Sequence, residues 1–198
     1  MTQATRSKKV NVRKLTYTAM LSAVSAVLMF ISFNVPLMPS FIKLDLSELP
    51  ALIAAFSLGP VSGVTVCLVK NLINVFFSTT GGIGELSNFL LGAFFVFPAG
   101  LIYKKWHNRK GAMIGSLVGA VAMAVLSVFS NYYVVYPVYT AFMPMEVILG
   151  MYQAINPHVS NLWDALIWFN MPFTFIKGLL SVLISLVVYK PLSRLFKR

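Results

Sequence analysis

Acidic residues are scarce: Asp and Glu together number five in 198 residues, and charged residues of both signs make up only 11% of the chain. A soluble domain carries about 25% charged and about 45–50% apolar residues. Here 58% are hydrophobic, with sixteen Phe and three Trp, and the mean hydropathy is +0.81. Water cannot solvate such a surface, which excludes a soluble enzyme and a disordered chain and makes the bilayer the expected solvent. Cysteine is nearly absent as well. Cys67 stands alone inside an apolar run, so an intrachain disulfide and a cysteine metal cluster are excluded, and it reads as a small packing residue. The two histidines, His107 and His158, fall in separate polar loops, and the chain has no HExxH, GxSxG or P-loop pattern. Metalloprotease, nucleophile-elbow and nucleotide chemistry therefore lack their residues.

What is present is a series of apolar runs. The polar, basic Met1–Lys14 precedes a run from Leu15 to about Phe33. That run is long enough to span, and no convincing small-x-small site closes it, so it reads as a retained helix rather than a signal peptide. Pro36 and Pro39 break it, and a short loop, Phe41–Leu46, carries Lys43 and Asp45. Ser47 is placed to cap a second helix with Glu48 and Pro50 in its first turn, reaching about Leu58 before Gly59-Pro60. Such a helix is shorter than a hydrocarbon core of roughly 30 Å, which suggests an N-terminal end opening on a cavity. A third helix is expected over about Val61–Phe77, a Gly-rich turn over Thr79–Gly84, and a fourth helix over about Glu85–Tyr103. The basic loop Lys104–Lys110 leads to a fifth helix, about Ala112–Tyr136. A long segment, Pro137–Asn161, then precedes a sixth helix from near Trp163 to Tyr189, ahead of Pro191 and a basic tail.

The sixteen Lys and Arg give a formal charge of +11, which in a soluble protein would suggest nucleic acid. Their placement says otherwise. Arg6, Lys8, Lys9, Arg13 and Lys14 precede the first helix; Lys104, Lys105, Arg109 and Lys110 join the fourth and fifth; Lys190, Arg194, Lys197 and Arg198 end the chain. With six spans these three groups share one face, and the positive-inside rule makes that face cytoplasmic. The expected fold is an all-α integral membrane protein, a six-transmembrane-helix bundle with both termini in the cytoplasm. It divides into a basic segment 1–14, one membrane domain 15–190 and a basic tail 191–198. Nucleic acid is not an expected partner; the lipid bilayer is.

Three basic residues remain: Lys43 in the first outward loop, and Lys70 and Lys177 within helices. A charge at the bilayer centre costs about 2.5–3.5 kcal/mol on insertion scales and usually faces the bundle interior or a wet cavity. Snorkelling accounts for Lys70 about as well as burial does, whereas the depth of Lys177 favours a cavity. Asp45, Glu48, Glu85 and Asp164 all lie at outward helix ends, where each alone would be explained by the helix macrodipole. Yet Asn71, Asn74, Asn88, Asn131 and Asn170 gather at or near the same end. Together they describe a polar lining suited to a polyhydroxylated or heterocyclic ligand. Tyr132, Tyr133, Tyr136, Tyr139, Phe142, Trp163 and Trp168 crowd there too, and most read as an interfacial aromatic belt. In helix one, Ala19 and Ala23 form one small pair and Ser22 and Ala26 another. These stripes suit either packing within the bundle or docking of another membrane subunit.

The runs Lys43-Leu44-Asp45-Leu46-Ser47-Glu48-Leu49-Pro50-Ala51-Leu52, Gly59-Pro60-Val61-Ser62-Gly63, Lys70-Asn71-Leu72-Ile73-Asn74 and Gly84-Glu85-Leu86-Ser87-Asn88-Phe89 resemble bacterial riboflavin transporters of the RibU type. These are the substrate-binding S components of energy-coupling factor (ECF) vitamin transporters. The resemblance implies a bacterial plasma-membrane subunit that captures riboflavin from outside under a lid, residues 39–46. It would release the vitamin inward after docking onto a transmembrane coupling subunit with two cytoplasmic ATPases. It also implies Ala19 and Ala23 as the docking stripe, and Asn131 and Lys177 as partners of the flavin ring and ribityl chain. Asp45, Glu85 and Asn88 would line or brace the pocket, and Leu44, Lys70 and Asn71, which lie in the matching runs, complete the expected ligand-binding set. Riboflavin is then cargo rather than cofactor, and neither a metal nor a catalytic residue is expected.

The residue chemistry agrees. The outward half has no Arg, which favours neutral riboflavin over a phosphorylated flavin. Two alternatives stand beside this reading. A self-contained facilitator or secondary transporter would often carry an internal repeat with paired broken helices, which is not evident. An intramembrane enzyme would need more than Asp45 and Glu48 at a helix start, around which the sequence supplies no base, nucleophile or metal ligand.

Overall fold

The computed structural model describes residues 11–196, with side-chain surroundings described through residue 187. Arg6, Lys8, Lys9, Lys197 and Arg198 lie outside the described residues. Helix α1 (Val12–Phe30) begins where the Asn11 side chain accepts a hydrogen bond from the Lys14 amide. Beyond it the chain departs from the all-helical expectation. Two-residue strands β1 (Phe33–Asn34) and β2 (Lys43–Leu44) pair antiparallel, Phe33 opposite Leu44 and Asn34 opposite Lys43. Pro36 and Pro39 forbid a helix between them, and Leu37 turns the loop with a φ of 63°.

Helix α2 (Glu48–Leu58) is the short helix the sequence predicts. Ser47, however, does not cap it. Its backbone is already helical and its side chain makes no capping bond, because the hydroxyl is engaged by Asp45 and Lys70. Gly59, at a φ of 102°, turns the chain sharply into α3 (Pro60–Val75), and Pro60 occupies the first turn, where a missing N–H costs nothing. Helix α4 (Ile83–Lys105) follows, and then α5 (Arg109–Ser130), capped by Asn108. A π-helical turn, Asn131–Val135, carries α5 into α6 (Tyr136–Tyr139). The outer segment holds a helix of its own, α7 (Met145–Gln153). Finally α8 (Leu162–Ala165), a second π turn (Leu166–Asn170) and α9 (Met171–Phe196) form one rod, which continues past Pro191.

Among the described residues, three helical rods are long and apolar enough to cross a membrane: Ile83–Lys105, Arg109–Tyr139 and Leu162–Val187. Helices α2 and α3 are apolar but shorter. Helix α2 sits at the centre, touching α1, α3, α4 and α9. Its Ala51, Leu52, Ala54 and Ala55 pack with Val66 and Cys67 of α3, Phe95, Val96 and Ala99 of α4, and Met123 of α5. A second cluster at the opposite end from Asn11 joins Ile83, Val128, Val135, Tyr136, Ile148, Tyr152 and Leu166. Cys67 is buried and free, and its sulfur fills the space a Cβ at Gly92 would enter.

Among apolar lipid tails, helices associate through close backbone approach rather than through hydrophobic expulsion. The α4–α5 contact shows this at Gly119, where an added Cβ would collide with the Phe95 carbonyl oxygen. Backbone cannot swing aside as a side chain can. Gly119→Ala is therefore expected to destabilise the fold by about 1–3 kcal/mol despite alanine's better helix propensity. A melting temperature in detergent equal to that of the unmodified protein would contradict this.

Candidate functional site

At the end of the bundle remote from Asn11, a cavity of about 290 Å³ opens between the β1–β2 hairpin, the end of α3, the start of α4, the α5–α6 rod and α9. Its floor is ionic. Lys177 Nζ lies 3.0 Å from Asp45 Oδ2 and 3.3 Å from Glu48 Oε2, while Lys70 Nζ lies 3.0 Å from Glu48 Oε1. Lys70 also donates to the Ser47 hydroxyl. Ser47 in turn donates to Asp45 Oδ1 from its hydroxyl and, at 2.8 Å, from its amide. Ser25 of α1 donates to the Ser47 carbonyl. Two carboxylates and two ammonium groups thus form one buried network whose formal charges cancel. Burial alone would raise the Asp45 pKa, but Lys177, Lys70 and the two Ser47 hydrogen bonds outweigh it and hold the carboxyl well below the usual carboxylate range.

This network settles what local pattern left open. Lys70 is 0% exposed, so it does not snorkel. It faces α2 and neutralises Glu48, which is itself buried rather than serving as an exposed partner of the helix dipole.

The walls carry amides and phenols. Asn131, the first residue of one π turn, and Asn170, the last of the other, both line the cavity. A π turn inserts an extra residue and so shifts the helical register, a device frequent at functional sites. Asn131 Oδ1 accepts from Ser87 at 3.1 Å. Asn88 Oδ1 is buried without a hydrogen-bond partner among the described residues. A ligand donor there would remove a desolvation cost of about 1–3 kcal/mol. Glu85 Oε2 accepts from Ser78 at 2.6 Å, and Ser78 also receives the amides of Thr80 and Gly82, shaping the Gly-rich turn. Phe30, Phe41, Phe77, Leu91 and Phe173 supply the apolar share of the lining.

Of the expected ligand-binding set, the structure places Asp45, Glu85, Asn88, Asn131 and Lys177 on the cavity wall. Leu44 is not on it. Lys70 stands behind the floor as a counter-ion, and Asn71 is buried in α3 with its amide donating to the Cys67 carbonyl. Asn74, Asn170, Tyr136 and Tyr139 also line the cavity. The two asparagines belong to the polar group visible in the sequence, and the two tyrosines to an aromatic group of which most members read there as membrane belt and some as able to stack on a flat ligand. Thr79, Thr80, Ser87 and Thr174 are lining residues without a sequence signal, since small hydroxyls occur throughout the helices. Tyr133, Phe142 and Trp168 are exposed, as a belt requires. On α1 the two small pairs part company: Ser22 and Ala26 are buried, whereas Ala19 and Ala23 are exposed. Among the described residues no group of His, Cys, Asp and Glu could hold a metal ion.

A helical bundle with membrane-length rods, holding a cavity of mixed polar and apolar lining over a neutral ion network, has the make-up of a membrane-embedded solute-binding subunit. The family model for the ECF transporter substrate-specific component matches residues 13–189. The chain is 34% identical over 186 residues to the riboflavin transporter RibU of Staphylococcus aureus (strain TCH60), covering 94% of this chain and 93% of that protein. It is 32% identical over 183 residues to the riboflavin transporter FmnP of Bacillus subtilis (strain 168), covering 90% and 92%. Its fold matches a solved S component of a bacterial ECF transporter with a TM-score of 0.74 at 34% identity, covering 94% of this chain and 98% of that one. The protein belongs to the ECF transporter substrate-specific components. It is a transport subunit and not an enzyme, which sets aside both the intramembrane-enzyme and the self-contained-facilitator alternatives.

Proposed function

We propose that this chain is the high-affinity riboflavin-binding subunit of an ECF vitamin transporter in the bacterial plasma membrane. The observation that carries the reading is the cavity itself, with asparagine amides and aromatic rings above a floor of Asp45 and Lys177, which Glu48 and Lys70 behind it complete into a neutral network. A net-neutral floor favours an uncharged ligand. Riboflavin offers a flat, partly apolar ring and a hydroxylated chain for the amides and Lys177. The relatives named riboflavin transporters support the same cargo.

In this proposal α1, α2, α3, α4, the α5–α6 rod and the α8–α9 rod are the six spans, and both termini are cytoplasmic. The basic segment 1–14 and tail 191–198 flank a single membrane domain, 15–190. The cavity then faces outward, and the β1–β2 hairpin with residues 39–46 is its lid. Asp45, Glu85, Asn88, Asn131 and Lys177 contact or brace the ligand. Ala19 and Ala23 meet a transmembrane coupling subunit that is driven by two cytoplasmic ATPases, and riboflavin is cargo rather than cofactor.

The test is direct. The full chain, expressed alone and purified in detergent, is expected to carry a yellow flavin or to bind riboflavin with nanomolar to low micromolar affinity. A folded protein showing neither would overturn the assignment.

A further inference from the structure

Tyr152 does not line the cavity. It projects from α7 into the second core cluster, is 0% exposed, and its ring packs against Phe169 and Phe41. Its hydroxyl nevertheless reaches two residues that do line it. Tyr152 donates to Asn170 Oδ1 at 2.7 Å, and its oxygen is hydrogen-bonded to the Tyr136 hydroxyl. Asn170 Nδ2 in turn lies 3.4 Å from the Tyr136 oxygen.

A phenol has one hydrogen. With Tyr152 donating to Asn170 Oδ1, Tyr136 donates to Tyr152 and accepts from Asn170; with the amide turned over and both hydroxyls rotated, the same ring runs the other way. In either direction it closes on itself, Tyr136 has no hydrogen left for the cavity, and both ends of the Asn170 amide are held. Of the two N–H groups on Asn170, only one has a partner among the described residues, and this side chain lines the cavity.

We infer that Tyr152 is a positioning residue, which together with Tyr136 holds the Asn170 amide by both ends, so that its remaining N–H stands ready for a ligand acceptor such as a ring carbonyl or imine nitrogen. This deepens the riboflavin reading and rests on it, since a flavin ring carries such acceptors. Tyr152→Phe keeps the ring and its packing but deletes the hydroxyl. Asn170 Oδ1 then loses its donor and Tyr136 its acceptor. The amide is then held at one end only and is free to swing away from the ligand.

The experiment is a double-mutant cycle on the purified full chain, read by quenching of riboflavin fluorescence. Tyr152→Phe and Asn170→Ala are each expected to weaken binding about 10-fold or more, and the double variant to bind within about twofold of Asn170→Ala, because Tyr152 acts only through Asn170. If Asn170→Ala does not purify folded, Asn170→Ser takes its place in the same cycle. Tyr152→Phe binding like the unmodified protein would overturn the inference. So would a double variant in which the two single effects multiply, the outcome of a merely structural role. An unmodified protein that fails to bind riboflavin would overturn the functional assignment and this inference together, whereas multiplied effects in a protein that binds would overturn the inference alone.

Discussion

Replacing Lys177 by Ala is expected to weaken riboflavin binding by at least about 100-fold and to lower the melting temperature of the protein in detergent. Lys177 is the lysine that pairs directly with both Asp45 and Glu48. Glu48 keeps Lys70 when Lys177 is removed, but Asp45 is left as a buried carboxylate with no direct ion pair, held by the Ser47 hydrogen bonds and by Lys70 only across Ser47. Breaking a buried ion pair from one side costs about 3–5 kcal/mol, more than the intact pair contributes, because the remaining charge loses its partner without regaining water. Asp45 also sits just after β2, so the hairpin that walls the cavity loses its tie to α9. Neutralising both partners at once separates the two consequences. The double variant Asp45→Asn, Lys177→Met should recover most of the lost stability, since no orphan charge remains, while leaving binding impaired. Lys177→Ala with unchanged affinity would remove this residue from the proposed ligand contacts. A double variant no more stable than the single would show that the charges do not act as a pair.

The second large effect concerns transport rather than binding. Ala19 and Ala23 stand one helical turn apart on α1, exposed along the edge of the stripe whose inner side is the buried Ser22 and Ala26. Small residues on an outward face permit another helix to approach closely, and leucine there holds the backbones apart. Ala19→Leu and Ala23→Leu are expected to leave riboflavin affinity within about twofold of the unmodified protein. Uptake by cells that hold the complete transporter should fall to background. Because neither residue touches the cavity, a loss of affinity would point to disturbance of the fold instead. Uptake at the normal rate would assign the exposed stripe to lipid contact.

Much of the architecture is legible from composition and punctuation. Gly59-Pro60 marks the α2–α3 break, Glu48 and Pro50 the start of a short helix, and the Gly-rich turn the start of α4. Local pattern failed where a residue's local and distant partners compete. Ser47 has the composition of a cap, yet its hydroxyl serves Asp45 and Lys70. Pro191 has the composition of a stop, yet α9 runs past it. Pro137–Asn161 looked like open loop, because α7 is short and apolar on the side that carries Ile148 and Tyr152. Tyr136 and Tyr139 could not be told from the belt residues beside them, because the π turn that precedes them leaves no mark in hydropathy.

The scarcity of acids is where these two levels meet. The sequence by itself determined that the chain belongs in a membrane, that its helices are interrupted at known points, and that a few polar groups collect toward one end, because hydropathy and charge are properties of each residue alone. It could not say which lysine meets which carboxylate. Of five acidic residues, Asp45 and Glu48 are the two withdrawn fully from solvent. They are matched to Lys70, more than twenty positions away, and to Lys177, 132 positions from Asp45. Only the tertiary structure decided that pairing. The energy of a buried charge depends on what lies within a few ångströms of it, and chain order does not record that distance.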